Sequence, residues 1–386
     1  MINQMQIVGT INATVKMNGK LYLGGSFTSI NGQPYNNFAE IDLSTGNPTS
    51  YRPIFDSAIN KMEACGNKIV IAGTFKNING QSNYILAILD QPSLIIDSAF
   101  TTLQITDNIQ SQINEVKYHQ NSGYVFVGGT LSFTQGGSQR KGMFIFNPNT
   151  FQVLPVSNIV QSDIYQSFDI DQVNNIIFYV KFVFGNGATI GSLNLSNINS
   201  IAYGSWFPNI TSSSGSFGRI FYANGRVFLS SSLSTLSYGA NVFRGLISTF
   251  ANGFLDILRW DVVSNAFFGA SNVSKIFYQN GNYYIIGSWT NLFDGSQRPS
   301  FFVRDAVGNK FKGDNINFIG WQTITYINNA KIPSFSPSYI TEAVFDDNYL
   351  HFFGALPVVD GVMQNNGHYI LNFDGTRIQK AFAVLL

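Results

Sequence analysis

Hydrophobic positions along the chain fall in short runs cut by turn residues, and the same order of runs returns seven times. Each copy opens with a strand that ends at Asn-Gly or an equivalent pair, as at Asn18-Gly19, Asn224-Gly225 and Asn280-Gly281. Both central residues of such a turn need positive φ, and Asn followed by Gly adopts it at least cost, so each pair predicts a hairpin. A continuously apolar strand follows, Leu21 to Gly25 or Tyr124 to Gly129, often closed by two glycines. An unbroken apolar run predicts a strand covered on both faces, and the glycines suit a close backbone approach. A second turn comes next in every copy: Asn31-Gly32, Asn79-Gly80, Gly136-Gly137, Gly185 to Gly187, Tyr238-Gly239, Asp294-Gly295 and Asp360-Gly361. The third strand is expected to alternate, as in Phe38 to Leu43, and to stop at Ser44 to Gly46, Ala251 to Gly253 or Asp374-Gly375 before a fourth.

The clearest copies, Asn18 to Gln33 and Gly66 to Gln81, match almost position for position. Ser122 to Gln139 and Asn280 to Gln297 keep the order, and weaker copies begin at Asn174, Asn224 and Asp346. Aligning the second glycine or its stand-in brings Gly25, Gly73, Gly129, Val180, Ser231, Gly287 and Phe353 into register, 48 to 66 residues apart. A repeat of this length means a radial or stacked array. No stretch carries a capped period of 3.6, so the helical and α/β classes are excluded. The prediction is an all-β chain: a single β-propeller domain over 1–386 with seven four-stranded blades, or six if the degenerate fourth or fifth copy is something else. The units run roughly 11–58, 59–106, 113–160, 165–212, 217–262, 272–330 and 339–386. A pair of β-sandwiches is disfavoured by the even spacing and by the lack of a Pro-rich or charged linker. Met5 to Gly9 is expected to complete the final blade as an outer or inner strand, with Arg377 to Leu386 as that blade's own last strand. On that reading the termini are adjacent, and removing the last ten or so residues opens the ring.

The segment Gly24 to Gly32, Gly-Gly-Ser-Phe-Thr-Ser-Ile-Asn-Gly, and its copy Ala72 to Gly80 resemble the repeats of kelch-like propellers, especially the delta-sixty type of bacterial propeller repeat. The resemblance is strong in units one, two, three and six and poor in unit four, where Tyr179-Val180 replace the glycine pair. It implies a propeller scaffold. Such scaffolds carry lectins, enzymes, adhesins and assembly proteins alike, so function has to be read from a site.

Charged residues make up 11% of the chain, against roughly 25% in ordinary soluble domains, and Asn, Ser, Thr, Gln and Gly fill the difference. With 22 basic and 21 acidic residues and no basic cluster, nothing is available to neutralise a run of phosphates. Nucleic acid is therefore not an expected partner, and no apolar run reaches the ~18 residues that a membrane span needs. Met1 to Gly9 lacks the basic segment and apolar core of a secretion signal. Cys65 is the only cysteine, so packing alone must hold the fold. An exposed-type surface without disulfides or an export segment points to a component of a virus particle, a bacteriophage in particular, assembled in the host cytoplasm. Its expected partners are other virion proteins or a glycan or protein of the host surface. Two other readings are an intracellular interaction scaffold and a carbohydrate-binding or carbohydrate-active propeller.

The search for chemistry returns little. His119, His351 and His368 fall at unrelated repeat positions, and no pair has metal-ligand spacing, so no metal, cofactor or catalytic set is expected. Glu40, Glu63, Glu115 and Glu342 each lie on or beside a predicted strand, and the sequence places no two of them together as a glycosidase pair. Asp169-Ile170-Asp171 with Asn174-Asn175 has a faint look of a calcium loop but reads as a plain turn. Trp289 aligns with Phe27 and Phe75 and belongs to the core. Trp206 and Trp321 lie in connections between units and are the candidates for a face that stacks on a sugar.

Overall fold

A computed structural model describes residues 5–380 with interruptions, the longer of which are 97–103, 106–111, 155–162, 264–271, 293–300 and 309–317. The described chain is an all-β propeller. Among the described residues no helix is long and apolar enough to cross a membrane.

Among the described residues, seven of the sheets follow one another in chain order, each built outward from a first strand. Those first strands are Ile7–Met17, Ile59–Cys65, Gln112–His119, Ile164–Asp171, Ile220–Ala223, Asn272–Gln279 and Tyr339–Asp346. Each pairs antiparallel with the strand after it, the first six through a short turn. The turn chemistry is as the sequence implies: Asn18, Asn31, Asn79, Asn224 and Asn280 all have positive φ, and so does the glycine after each of them. The wide gap between the sixth and seventh sheets holds an added hairpin, Gln322–Ile327 with Ala330–Phe335.

The third strands depart from the expected alternation. Phe38, Ala39, Glu40 and Ile41 are all buried, as are Leu86 through Leu89. Alternation belongs to a sheet with one wet face, whereas these sheets are covered by a neighbour on each side. Phe38, for example, packs through Phe55 to Phe75 of the next sheet, with ring centroids 5.8 and 5.0 Å apart along the chain of contacts.

The glycine pairs serve two different contacts. A methyl group on the first glycine would strike the next sheet, 2.6 Å from Ile59 Cγ2 at Gly24 and 2.7 Å from Phe168 Cε1 at Gly128. On the second it would lie 2.0 Å from Thr10 O at Gly25, 2.1 Å from Ala58 O at Gly73 and 2.0 Å from Gln112 O at Gly129. The second glycine thus lies against the backbone of its own inner strand, next to a β-bulge. Pairing also corrects the alignment. The residues opposite the equivalent inner-strand position are Gly25, Gly73, Gly129, Lys181, Gly287 and Gly354, so unit four carries Lys181 there rather than Val180, and unit seven keeps its glycine rather than Phe353.

Ring closure differs from the expectation at the N-terminal end, while the C-terminal segment falls in the last sheet as expected. Ile7–Met17 is the inner strand of the first sheet, and the last sheet supplies its own strands through Ile378–Lys380. Among the described residues no strand is exchanged between the ends. The inner strands touch in chain order, and Tyr339–Asp346 returns to Ile7–Met17. That seam is held by Phe353 buried among Ile11, Leu21, Leu23 and Phe27, by Lys16 to Asp346 at 3.0 Å and by the Thr341 hydroxyl donating to Ile11 O.

Candidate functional site

The inner strands surround an axial cavity of about 610 Å³, lined by residues from all seven. Its geometry begins with the bulges. In six of the strands the register slips by one residue, at Asn12, Asn60, Asn114, Gln166, Ser274 and Thr341. A bulge bends its strand and re-aims one side chain out of the ladder, and every one of these side chains is polar. Three of them join sheet to sheet in the same way. Asn12 Nδ2 donates to Ile59 O at 3.0 Å, Asn114 Nδ2 to Tyr165 O at 3.0 Å, and Thr341 Oγ1 to Ile11 O, each acceptor lying just before the next bulge. In the fifth sheet, where the slip is absent, Arg219 Nη1 reaches Ser274 O at 2.5 Å.

Beside this belt lie eight ionisable side chains, four basic (Lys61, Lys117, Arg219, Lys275) and four acidic (Glu63, Glu115, Asp169, Glu342). Residues one and three places past the bulge fall on the same side of a strand, so neighbouring sheets present matching charges at matching heights. Lys61 pairs with Glu115 at 3.0 Å, Lys117 with Asp169 at 3.0 Å, and Lys275 with Glu342, while Arg219 reaches Glu115 at 3.5 Å. Each pair crosses from one sheet to another. Burial disfavours the charged form of Glu115, but Lys61, Lys117 and Arg219 overcome it and hold the carboxyl below its ordinary range. Burial likewise opposes Lys117, and Asp169, Glu115 and Glu63 outweigh it, keeping the ammonium above the usual lysine value. Glu63 is the exception. Its Oε1 accepts the Tyr118 amide at 3.0 Å, it makes no ion pair among the described residues, and loss of hydration pushes its carboxyl up to about 7. For Lys61 the same loss draws the ammonium down to about 8.

Three of the four candidate glutamates therefore converge on one cavity, and Glu40 does not. It is buried in the third strand of the first sheet, opposite Tyr22. Trp206, a candidate for an exposed stacking face, is 2% exposed; its ring meets Phe178 edge-on at 5.2 Å and its Nε1 donates to Thr249 Oγ1 at 3.2 Å. A connection between sheets is here core, because it crosses the outer edge of one sheet under the next. Trp321 lies outside the described residues. Trp289 is fully buried. His119 closes its strand by bonding Ser122 Oγ at 2.8 Å and Asn175 Oδ1 at 3.0 Å. Asp171 caps its own turn, accepting the Val173 and Asn174 amides, and Asp169 is held by Lys117.

Sequence reasoning missed the lysines and the polar belt. A signal for both was present: Asn12, Asn60 and Ser274 each stand six places before a turn residue, Asn18, Gly66 and Asn280. Read against the turns, a polar residue recurs at the bulge with charges on either side of an apolar residue after it, as in Lys61-Met62-Glu63 and Glu115-Val116-Lys117.

Residues 18–44 and 67–89 match a family model described as a domain of unknown function, DUF5122 beta-propeller. No curated protein is similar to the chain. Among solved structures it is similar to the computationally designed Ika8 protein, with 10% identity over 96% of this chain and 98% of that one and a TM-score of 0.49. It is also similar to the RRP9 WD40 repeats, with 8% identity, coverage of 91% and 90% and a TM-score of 0.48. The β-propeller domain of the trilobed protease from Pyrococcus furiosus gives 8% identity, 100% and 98% coverage and a TM-score of 0.46.

Proposed function

We propose that the chain is one seven-bladed domain of kelch-like, delta-sixty repeat type, and that it acts as a non-enzymatic structural or host-attachment component of a virus particle, a bacteriophage. The observation that carries this reading is the use made of the cavity's charges. Lys61, Glu115, Arg219, Lys117, Asp169, Lys275 and Glu342 all bridge sheets that are separate in sequence. Groups committed to such pairs stiffen a ring and are poorly placed to shuttle protons in a reaction. A stiff disc with a polar surface of low charge suits contacts that must survive outside a cell, where a preorganised surface loses little entropy on docking. Its partners on this reading are other virion proteins or a glycan or protein of the host surface, met through the loops. Purified particles examined by mass spectrometry and antibody-labelled electron microscopy should contain the chain at a fixed position and copy number. A chain recovered only as a free protein from uninfected cells would overturn the reading.

A further inference from the structure

The ionisable groups of the axial cavity balance in total but not tier by tier. One place past the bulge, or at its counterpart in the fifth sheet, stand Lys61, Glu115, Arg219, Lys275 and Glu342, with neutral Ala13 and Ser167 completing the ring. Cations outnumber carboxylates in that tier. Two residues further along each strand, about 7 Å away, the excess has the opposite sign, with Lys117 against Glu63 and Asp169. There Lys117 and Asp169 are paired, and the Glu63 carboxyl, raised to about 7, carries only part of a charge at neutral pH. In the first tier Lys61 and Lys275 have Glu115 and Glu342, so the surplus falls on Arg219. Arg219 shares Glu115 with Lys61, at 3.5 Å against 3.0 Å, and its guanidinium otherwise meets the neutral Ser274 O. A guanidinium stays protonated and has more N–H donors than these contacts use. The Arg219 side chain lines the cavity and is 35% exposed, so its spare donors are open to a ligand.

The class of ligand follows from what surrounds Arg219. The fourth sheet, on one side of it, places Ser167 in the tier, buried and bonded to the Ile220 amide, and so supplies no carboxylate. The residue before it, Gln166, is an exposed amide on the cavity wall, and Asn60 of the second sheet is another; neither side chain has a hydrogen-bond partner among the described residues. The next tier place on Arg219's own strand is Phe221, whose ring lies 5.3 Å from the guanidinium carbon. A carboxylate entering here would take the paired N–H groups in the geometry that guanidinium favours, and Lys61 would keep Glu115. A cation would meet the surplus of like charge. The cavity, at about 610 Å³, is of a size that holds an organic molecule, and its free amides can both donate to and accept from hydroxyls. We propose that the axial cavity binds a hydroxylated organic acid of monosaccharide size, its carboxylate held by Arg219 and its hydroxyls by Gln166 and Asn60. This proposal stands apart from the particle reading, since it is tested on the isolated chain and neither result bears on where the protein resides.

Glucuronate, glucose and glucosamine present the same sugar ring with a negative, a zero and a positive charge, and are titrated calorimetrically into the full chain at neutral pH and low ionic strength. Glucuronate should bind at millimolar concentration or below and at least about tenfold more tightly than glucose, with glucosamine the weakest. Arg219→Lys, which keeps the charge and loses the fork, should weaken glucuronate roughly three- to tenfold, and Arg219→Gln should erase its advantage over glucose. Because Arg219 also joins two sheets, a second variant makes the same test at an exposed position that bonds nothing among the described residues. Gln166→Glu places a carboxylate on the strand beside Arg219 and should fold, yet weaken glucuronate at least about tenfold. Crystals soaked in glucuronate should show its carboxylate on Arg219. The proposal is overturned if glucuronate does not bind at about 10 mM, if it binds no more tightly than glucose, if glucosamine binds more tightly, if Arg219→Gln or Gln166→Glu binds it as well as the parent does, or if its carboxylate lies elsewhere in the soaked crystals.

Discussion

At the scale of single residues, two glycines with the same letter do different things. Gly32 sits at φ +74 with nothing within 4 Å of where a methyl would go, so it answers only to backbone conformation. Gly25 has an ordinary φ but lies against Thr10 O, where a methyl would come within 2.0 Å of a main-chain oxygen that cannot rotate away. Gly32→Ala should lower stability by about 1 kcal/mol, the usual cost of a left-handed alanine. Gly25→Ala should lower it by about 3 kcal/mol, because backbone of two strands must separate. Denaturant unfolding of the two variants checks this, and equal losses would mean that the close approach is not what the glycine pair is for. Unit four shows how the ring tolerates the pair's absence: Lys181 stands at the glycine's place and its ammonium reaches Asp163 at 2.7 Å over the rings of Tyr179 and Tyr203. Cys65, buried and bonded to Lys68 O, has its thiol pushed up to about 12 by burial and should stay unmodified by thiol reagents until the protein unfolds.

At the scale of elements, the seam between the last sheet and the first carries a buried histidine pair. The Met5 amide donates to His368 Nδ1 at 3.1 Å, so the proton of His368 is on Nε2, and that nitrogen donates to His351 Nδ1 at 3.0 Å. Neither ring can take a second proton without losing one of these bonds. Burial holds His351 down at about 4 and His368 well below the ordinary value. In the unfolded chain both bind protons below about pH 6.5, so their contribution to stability is complete above that pH and is lost as pH falls toward 4. Glu63 acts in the opposite sense. Its folded carboxyl, raised from 4.5 to about 7, keeps a proton that the unfolded chain releases, so it favours the folded state as pH falls from 7 to 4.5. The two effects oppose each other across most of the same window. Glu63→Gln should therefore expose the histidine term, with a denaturation midpoint that drops more steeply than the parent's between pH 6.5 and 4.5. Parallel midpoints for parent and variant would show that Glu63 does not hold its proton in the fold.

At the scale of the whole molecule, closure among the described residues comes from inner strands, with no exchanged outer one. Removing residues 377–386 takes away Ile378–Lys380, which among the described residues pairs with His368–Phe373 alone, at the edge of the last sheet. Such a truncation should leave a folded, cooperatively melting protein of lower midpoint, contrary to the opening of the ring expected from the sequence. Removing residues 1–17 takes away the inner strand that carries Ile11, Asn12 and Lys16 and should abolish the folded state. Circular dichroism and size-exclusion chromatography of both truncations decide the matter. The sequence by itself determined the class of the fold, the repeat and the turns, because Asn-Gly pairs and unbroken apolar runs impose φ signs and burial through neighbours only a few residues away. It also determined that Trp289 is core, since register within a repeat is a local property. Only the tertiary structure decided that Trp206 is buried, that Glu63, Glu115 and Glu342 share a cavity while Glu40 does not, and that the described ends meet without exchanging a strand. Those facts depend on contacts between residues some 28 to 330 positions apart; the local pattern marks the polar and charged positions before each turn, but which of them meet is decided when the ring closes.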